Sequence, residues 1–481
     1  MKRVITNNQD NKDKKALKSG VWYTISSISV KAILIFTTPI FTRLMTTTDY
    51  GLSATFTTWF TLLNVICSLN LWYSIGRAKI DFPNKLDEFV GSVQLLAFLF
   101  TFLLGCGSLF FVNELNSLFG MNKPLMIALY FYLLFYPAVQ LTQAKLKYTY
   151  NYKGNIAITI YSTIVTVFFS LLFIILMPNN KALGKSLGAV FATGILSIYI
   201  WIKTISKGNA TINLSYWKYG LVISTPLILN SISLNILAQA DRVFINKYCG
   251  ADYTGIYSLA YSYAILINIV LNAVNEAWLP WFHDTFNEGN YDSIRKNVKP
   301  LIVFGCWFGI CCIAIAPEAI TLLGGQTYIE GIWVVPPVTL GIVCNYIFQH
   351  YEHVELHLKK TWYISIGTVI AAGINIILNI VFVRMYGFVA AAYTTLFCYL
   401  ILMILHHLIS TYILRVKLYH NIFMYMALLL TCIISVVFML LYVYAWFIRW
   451  LFILVISLIY LVRYRKLICN VFKNFTKKKK N

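Results

Sequence analysis

Of 481 residues, 59% are hydrophobic and only 12% are charged, with a formal net charge of +22. Soluble domains carry about 25% charged residues, so a soluble globular body is excluded for most of the chain. The positive excess does not call for a nucleic-acid partner, because most of it follows from a one-sided bias of Lys and Arg in the termini and the links between long apolar runs.

The chain opens with a polar, basic tail over 1–16 (MKRVITNNQDNKDKK…). The apolar stretch 17–41 that follows is too long for a signal-peptide core and reads as a retained first span. Further apolar runs lie near 50–75, 88–112, 124–144, 155–177, 184–203, 218–240, 255–276, 298–317, 331–349, 362–383, 387–409, 421–443 and 446–463. Each matches the length a helix needs to cross a hydrocarbon core of about 30 Å. Lipid leaves no backbone group unpaired, so helices are expected; the short alternating segments of a β-barrel are not seen. The pattern predicts an all-α polytopic protein of about fourteen transmembrane helices. The last span is short and carries Arg449. The ten cysteines are scattered without metal-site spacing and read as packing residues. No phosphate-binding glycine loop or nucleophile elbow occurs, so neither a cofactor nor a metal is expected.

Charge orients the bundle. The tail, the links after every second span and the C-terminal segment hold 30 of the 39 Lys and Arg, while the alternate links hold 8. The positive-inside rule puts both termini in the cytoplasm, with the basic tail 464–481 against anionic headgroups.

Two sequence echoes divide the chain. Thr42-Arg43-Leu44 with Asp49-Tyr50-Gly51 returns as Asp241-Arg242-Val243 with Asp252-Tyr253-Thr254-Gly255. Gly188-Ala189-Val190-Phe191-Ala192-Thr193 returns as Ala390-Ala391-Ala392-Tyr393-Thr394-Thr395. Both echoes fall six spans apart, so the expectation is a parallel repeat. It gives an N-lobe at 17–203, a cytoplasmic linker at 204–217 and a C-lobe at 218–409, with a helix pair at 410–463. The small-residue runs also read as close helix contacts.

Polar side chains recur on single helical faces of four spans. Span 1 carries Thr24, Ser27, Lys31, Thr38 and Thr42; span 2 carries Ser53, Thr57, Thr61, Asn64 and Ser68. Span 7 carries Ser224, Ser231, Asn235, Gln239 and Arg242; span 8 carries Tyr257, Tyr261, Asn268, Asn272 and Asn275, with Glu276 beside them. A water-filled central cavity lined by these faces is the expectation; interhelical hydrogen bonding is the plainer alternative. Lys31 sits near mid-span, where a cation costs roughly 2.5–3.5 kcal/mol, so a wet site or an anion is expected there. A net cationic cavity suits an anionic solute, for which Lys is a point charge. Asp241 and Glu276, near span ends, are the candidate coupling residues. His350, His353 and His357, with Glu352 and Glu355, read as a cytoplasmic helix extension rather than a metal site.

These residues make the chain similar to bacterial Wzx-type oligosaccharide flippases, relatives of the MATE exporters and lipid II flippases. The resemblance rests on Arg43-Leu44 with Asp49-Tyr50-Gly51, on Asp241-Arg242 with Gly255-Ile256-Tyr257, on 275–280 and on the small-residue echoes. It implies two six-helix lobes around a central cavity. It also implies a substrate, an undecaprenyl-pyrophosphate-linked oligosaccharide repeat unit moved across the inner membrane for O-antigen or capsule assembly. Arg43, Arg77 and Arg242 are the basic positions it carries over. A monomer is expected, with a polysaccharide polymerase and a chain-length regulator as partners. The competing expectations are a MATE-like ion-coupled small-molecule exporter and a membrane polymerase or glycosyltransferase. The latter would need a larger external loop than the links offer.

Overall fold

A computed structural model describes residues 35–444 and 446–477, together with 22, 26, 29, 30, 32 and 33. Among the described residues there is no strand. Residues 35–44 are helical. Then come α1 (Thr47–Cys67), α2 (Ser74–Asp81), α3 (Leu86–Ser108), α4 (Val112–Phe119), α5 (Lys123–Tyr148), α6 (Tyr152–Leu176), α7 (Lys181–Ser206), α8 (Leu214–Gln239) and α9 (Asp241–Tyr248). They are followed by α10 (Ala251–Asn287), α11 (Tyr291–Gly324), α12 (Val335–His357), α13 (Thr361–Tyr386), α14 (Phe388–Leu408), α15 (Asn421–Tyr444) and α16 (Trp446–Lys477).

Helix starts are written into the links. Asn122, Asn151, Asn180, Asn213 and Asn290 each precede a helix and accept a hydrogen bond from its first turn. The cap satisfies a donor that would otherwise be orphaned at the membrane boundary.

Among the described residues, 11 helices are long and apolar enough to cross a membrane, or up to 13 when two bent pairs count as single spans. Each coincides with an expected run; the remaining run, 17–41, lies largely outside the described residues. The chain is a multi-pass membrane protein. The bends are a difference from the sequence reading. Run 50–75 is broken between Cys67 and Leu71, where Leu69 and Asn70 take φ of 49° and 50°, and its halves diverge by 60°. The Asn70 amide donates to Ser231 Oγ (2.9 Å) and to the Leu227 carbonyl (3.3 Å), which pins the break to α8. Run 331–349 bends by 48° between a 3-10 segment and α12. Pro336 and Pro337 occupy the first turn of α12, where a missing N–H costs nothing.

Helix contacts form two compact units, Met1–Gly255 and Ile256–Asn481. In the first, Leu71, Ile75, Phe89 and Val93 make one core cluster, and Phe56, Phe60, Leu125 and Leu129 another. In the second, Ile310, Ile313 and Leu340 pack with Phe438 and Ile453, so the last two helices join the core of that unit.

Each sequence echo sits at a close helix approach. A Cβ on Gly51 would strike the Ala251 carbonyl, and one on Gly255 the Thr47 carbonyl. A Cβ on Gly188 would strike Ser170 of α6. In the second unit Ala391 is fully buried, and Thr394 donates to Asn379 Oδ1 of α13 at 2.8 Å.

Candidate functional site

The links sort to two ends, as alternating spans require. In the first unit Lys181 Nζ donates to the Leu44 carbonyl (2.8 Å) and the Asn246 amide to the Gly120 carbonyl (3.1 Å). The Ala182 amide donates to Asp49 Oδ1 (3.3 Å), and Thr47 and Thr48 donate to Asp252. The links after spans 1, 3, 5 and 7 therefore meet at one end. At the other, Tyr219 OH donates to Asp81 (2.6 Å), Lys145 pairs with Asp87 (2.5 Å), and the Asn209 carbonyl lies on Gly91. This second end carries Arg77, Lys79, Lys85, Lys145, Lys203 and Lys207.

Of the expected site residues, Thr24, Ser27 and Lys31 lie outside the described residues. Asn64 is buried on α1, with Oδ1 unpartnered. Its stripe mates are satisfied locally: Thr57 donates to the Ser53 carbonyl and Thr61 to the Thr57 carbonyl. Asn235 and Gln239 are half-buried on α8, and Asp241 and Arg242 are buried at the start of α9. Arg43 is exposed beside the Leu44 link. Arg77 is exposed at the opposite end, paired with Asp81 at 3.1 Å. The 21-residue α1 that separates them is about 31 Å long at 1.5 Å per residue. These two cations do not share a site.

In the second unit Asn268 and Asn272 are half-buried on α10, and Glu276 is exposed. Asn272 and Asn275 join a polar chain. Gln349 donates to Asn272 Oδ1 (3.4 Å) and accepts from the Asn275 amide (2.7 Å), and His353 donates to Asn275 Oδ1 (2.7 Å).

The polar chain continues along α12. His350 and His353, expected on a cytoplasmic helix extension, lie on this continuous helix and are buried within the protein. Glu355 lies 2.7 Å from His406 of α14, and both side chains are fully buried. Phe348 packs tilted against the His406 ring, centroids 4.6 Å apart, and Gly367 of α13 makes room beside it. His283 meets His357 at 2.8 Å, and His407 bonds to Asn421 and Tyr425. All seven histidines of the chain fall between 283 and 420. That confinement was the available signal. Among the described residues no group of His, Cys, Asp or Glu is placed to hold a metal ion.

A second residue was counted only as a link charge. Lys185 turns inward, with Nζ 4.0 Å from the Tyr50 ring centroid and 5.1 Å from that of Phe41. Aromatic faces stabilise a cation there by about 0.5–2 kcal/mol. Arg449 is also resolved: its guanidinium is buried and bonds to Glu318, which explains how the last span tolerates it.

A bundle of many apolar helices, with links that alternate between two ends in the first unit, defines a multi-pass helical membrane protein. Solved structures share the fold. The fold is similar to that of the lipid II flippase MurJ in an inward closed conformation (TM-score 0.66, 17% identity, 93% of this chain and 100% of that one). It is similar also to an inward-facing multidrug resistance MATE family transporter of the MOP superfamily (TM-score 0.61, 12% identity, 82% and 99%). A protein of the Lsg locus of Haemophilus influenzae is 22% identical over 288 residues, 57% of this chain and 67% of that one. The polysaccharide biosynthesis protein family matches residues 16–286, and the chain belongs to that family.

Proposed function

We propose that this chain is a flippase. It moves an undecaprenyl-pyrophosphate-linked oligosaccharide repeat unit from the cytoplasmic to the periplasmic leaflet by alternating access, for O-antigen or capsule assembly. The observation that carries this reading is the family match over 16–286 on a fold shared with a lipid II flippase. It acts in the bacterial inner membrane with both termini cytoplasmic, the orientation the Lys-rich ends favour. It works as a monomer beside a polysaccharide polymerase and a chain-length regulator, and it does no covalent chemistry itself.

In this reading Lys31, with Arg242, Arg43 and Arg77 along the route, meets the diphosphate. The separation of Arg43 from Arg77 favours successive contacts over a single site. Thr24, Ser27, Asn64, Asn235, Gln239, Asn268 and Asn272 offer hydrogen bonds to the sugars, and Asp241 and Glu276 serve coupling. The test is surface polymer in a deletion strain complemented with Lys31→Ala. Polymer should fall at least tenfold at unchanged protein level, with lipid-linked repeat units accumulating on the cytoplasmic leaflet. Full polymer would remove Lys31 from the site. A deletion strain with normal polymer would remove the flippase reading itself.

The MATE-like fold keeps a second reading, ion-coupled export of small molecules. Lowered susceptibility to cationic drugs on expression, with polymer unaffected by deletion, would select it.

A further inference from the structure

At its basic end, the first unit holds a cavity of about 400 Å³ between α3, α5, α6 and α7. It lies among the residues of one unit and uses none of the residues assigned to transport. Its mouth is basic: Lys145, Lys203 and Lys207 line it, against one carboxylate, Asp87. Asp87 is engaged by Lys145 at 2.5 Å, so Lys203 and Lys207 leave the mouth net positive. Both are exposed on the last turn of α7 and the residue after it.

Further along the helices the lining changes. Ala157, Ile158, Leu196 and Ile200 make the next layer apolar. Beyond it, α6 carries Ile160 and Ile164 exposed, as surfaces in contact with acyl chains must be. In the wall stands Gln94, 2% exposed, whose amide nitrogen has no hydrogen-bond partner. A buried, unmatched donor is unfavourable, and an acceptor oxygen entering the cavity would satisfy it.

We infer that this cavity is a binding site for the phosphate headgroup of an anionic membrane lipid, with its acyl chains lying along the apolar layer of α6 and α7. Three observations converge on one amphiphile. The mouth offers two exposed ammonium groups, Lys207 and Lys203, the latter resting over the Tyr199 ring at 5.8 Å, as point charges suited to phosphate. The wall offers an orphan donor. The basic-to-apolar gradient runs along the helix axes, as a lipid does. Basic pockets between spanning helices at the cytoplasmic side recognise anionic headgroups in this way. The same phosphate chemistry could be presented by a phosphatidylglycerol of the bilayer or by a polyprenyl diphosphate, and the two are separable by titration. The inference needs the membrane placement of this unit and not the transport reading.

The test uses the full chain, purified and delipidated in detergent, with lipid retention measured by native mass spectrometry. Phosphatidylglycerol, phosphatidylethanolamine, undecaprenyl diphosphate and inorganic phosphate are titrated in turn. Wild type should retain one phosphatidylglycerol in preference to phosphatidylethanolamine. Lys203→Gln with Lys207→Gln should weaken that at least tenfold without changing the melting temperature, since both side chains are exposed. Gln94→Leu, which removes the orphan donor, should weaken it about threefold. Stoichiometric competition by undecaprenyl diphosphate would support the same site with the carrier lipid as its source. Equal retention by wild type and the double lysine variant would overturn the inference, as would inorganic phosphate binding as tightly as the lipid. Loss of binding with normal polymer export would leave the flippase reading untouched.

Discussion

The basic end of the first unit and the interior of the second hold paired charge differently. In the first, the ion pairs Arg77–Asp81 and Lys145–Asp87 stand at the basic end with side chains between 29% and 65% exposed. Its interior is held by stacked aromatics such as Phe60 with Tyr132 (centroids 3.8 Å apart) and by glycine contacts. In the second, Glu355 and His406 pair at zero exposure, and all seven histidines of the chain belong to this unit. Exposed pairs are solvated and worth little; a fully buried pair is held only because each partner compensates the other. The polar network of the second unit is therefore a point where a single substitution does large damage.

That contrast can be broken most directly at Glu355. Glu355→Ala leaves His406 buried without its partner and should destabilise the purified protein by about 3–5 kcal/mol, read as loss of helicity in a denaturant titration. Replacing both by Leu should recover much of the loss, because the uncompensated buried group is then gone. A cost no greater than that of an exposed pair would abolish the distinction between the units. The first unit's weak point is its glycine seam instead. Gly51→Ala forces a methyl group into the Ala251 carbonyl and should cost about 1–3 kcal/mol by overpacking. An unchanged midpoint would mean that α1 and the start of α10 do not touch this closely in the membrane.

The sequence was most informative where the signal is periodic and repeated. Apolar runs located the 11 helices, or up to 13 with the bent pairs, that are long and apolar enough to span among the described residues, because length and hydropathy are imposed by the bilayer whatever the neighbours are. The Gly51 and Gly255 echoes marked real close approaches, since only glycine permits them. Breaks inside spans were not legible: Leu69 and Asn70 adopt left-handed geometry without a glycine, and Asn70 is held there by Ser231, 161 residues away. Long-range partners likewise decided which polar residues are buried. Glu355 and His353 read as part of a helix extension, with no sign of burial in their own helix; their partners His406 and Asn275 are distant in sequence. The polar stripes were legible as faces but not as ligands, because Thr57 and Thr61 spend their hydroxyls on their own helix.

The smallest expected effect is at the exposed end of the comparison. Arg77 donates through Nε to Asp81 across one helical turn, with its side chain 65% exposed. Solvent and salt screen such a pair, and the two side chains lose rotamer freedom to keep it. Arg77→Ala should therefore change unfolding stability by about 0–1 kcal/mol, and raising the salt concentration should shrink even that. Tyr219 keeps its 2.6 Å hydrogen bond to Asp81, so the carboxylate is not stranded. Stability alone then separates two roles for this arginine. If polymer export falls in Arg77→Ala while the unfolding midpoint holds, Arg77 acts on the substrate at the basic end. If both hold, it is a solvated surface cation, and the diphosphate contacts of the basic end must come from other side chains.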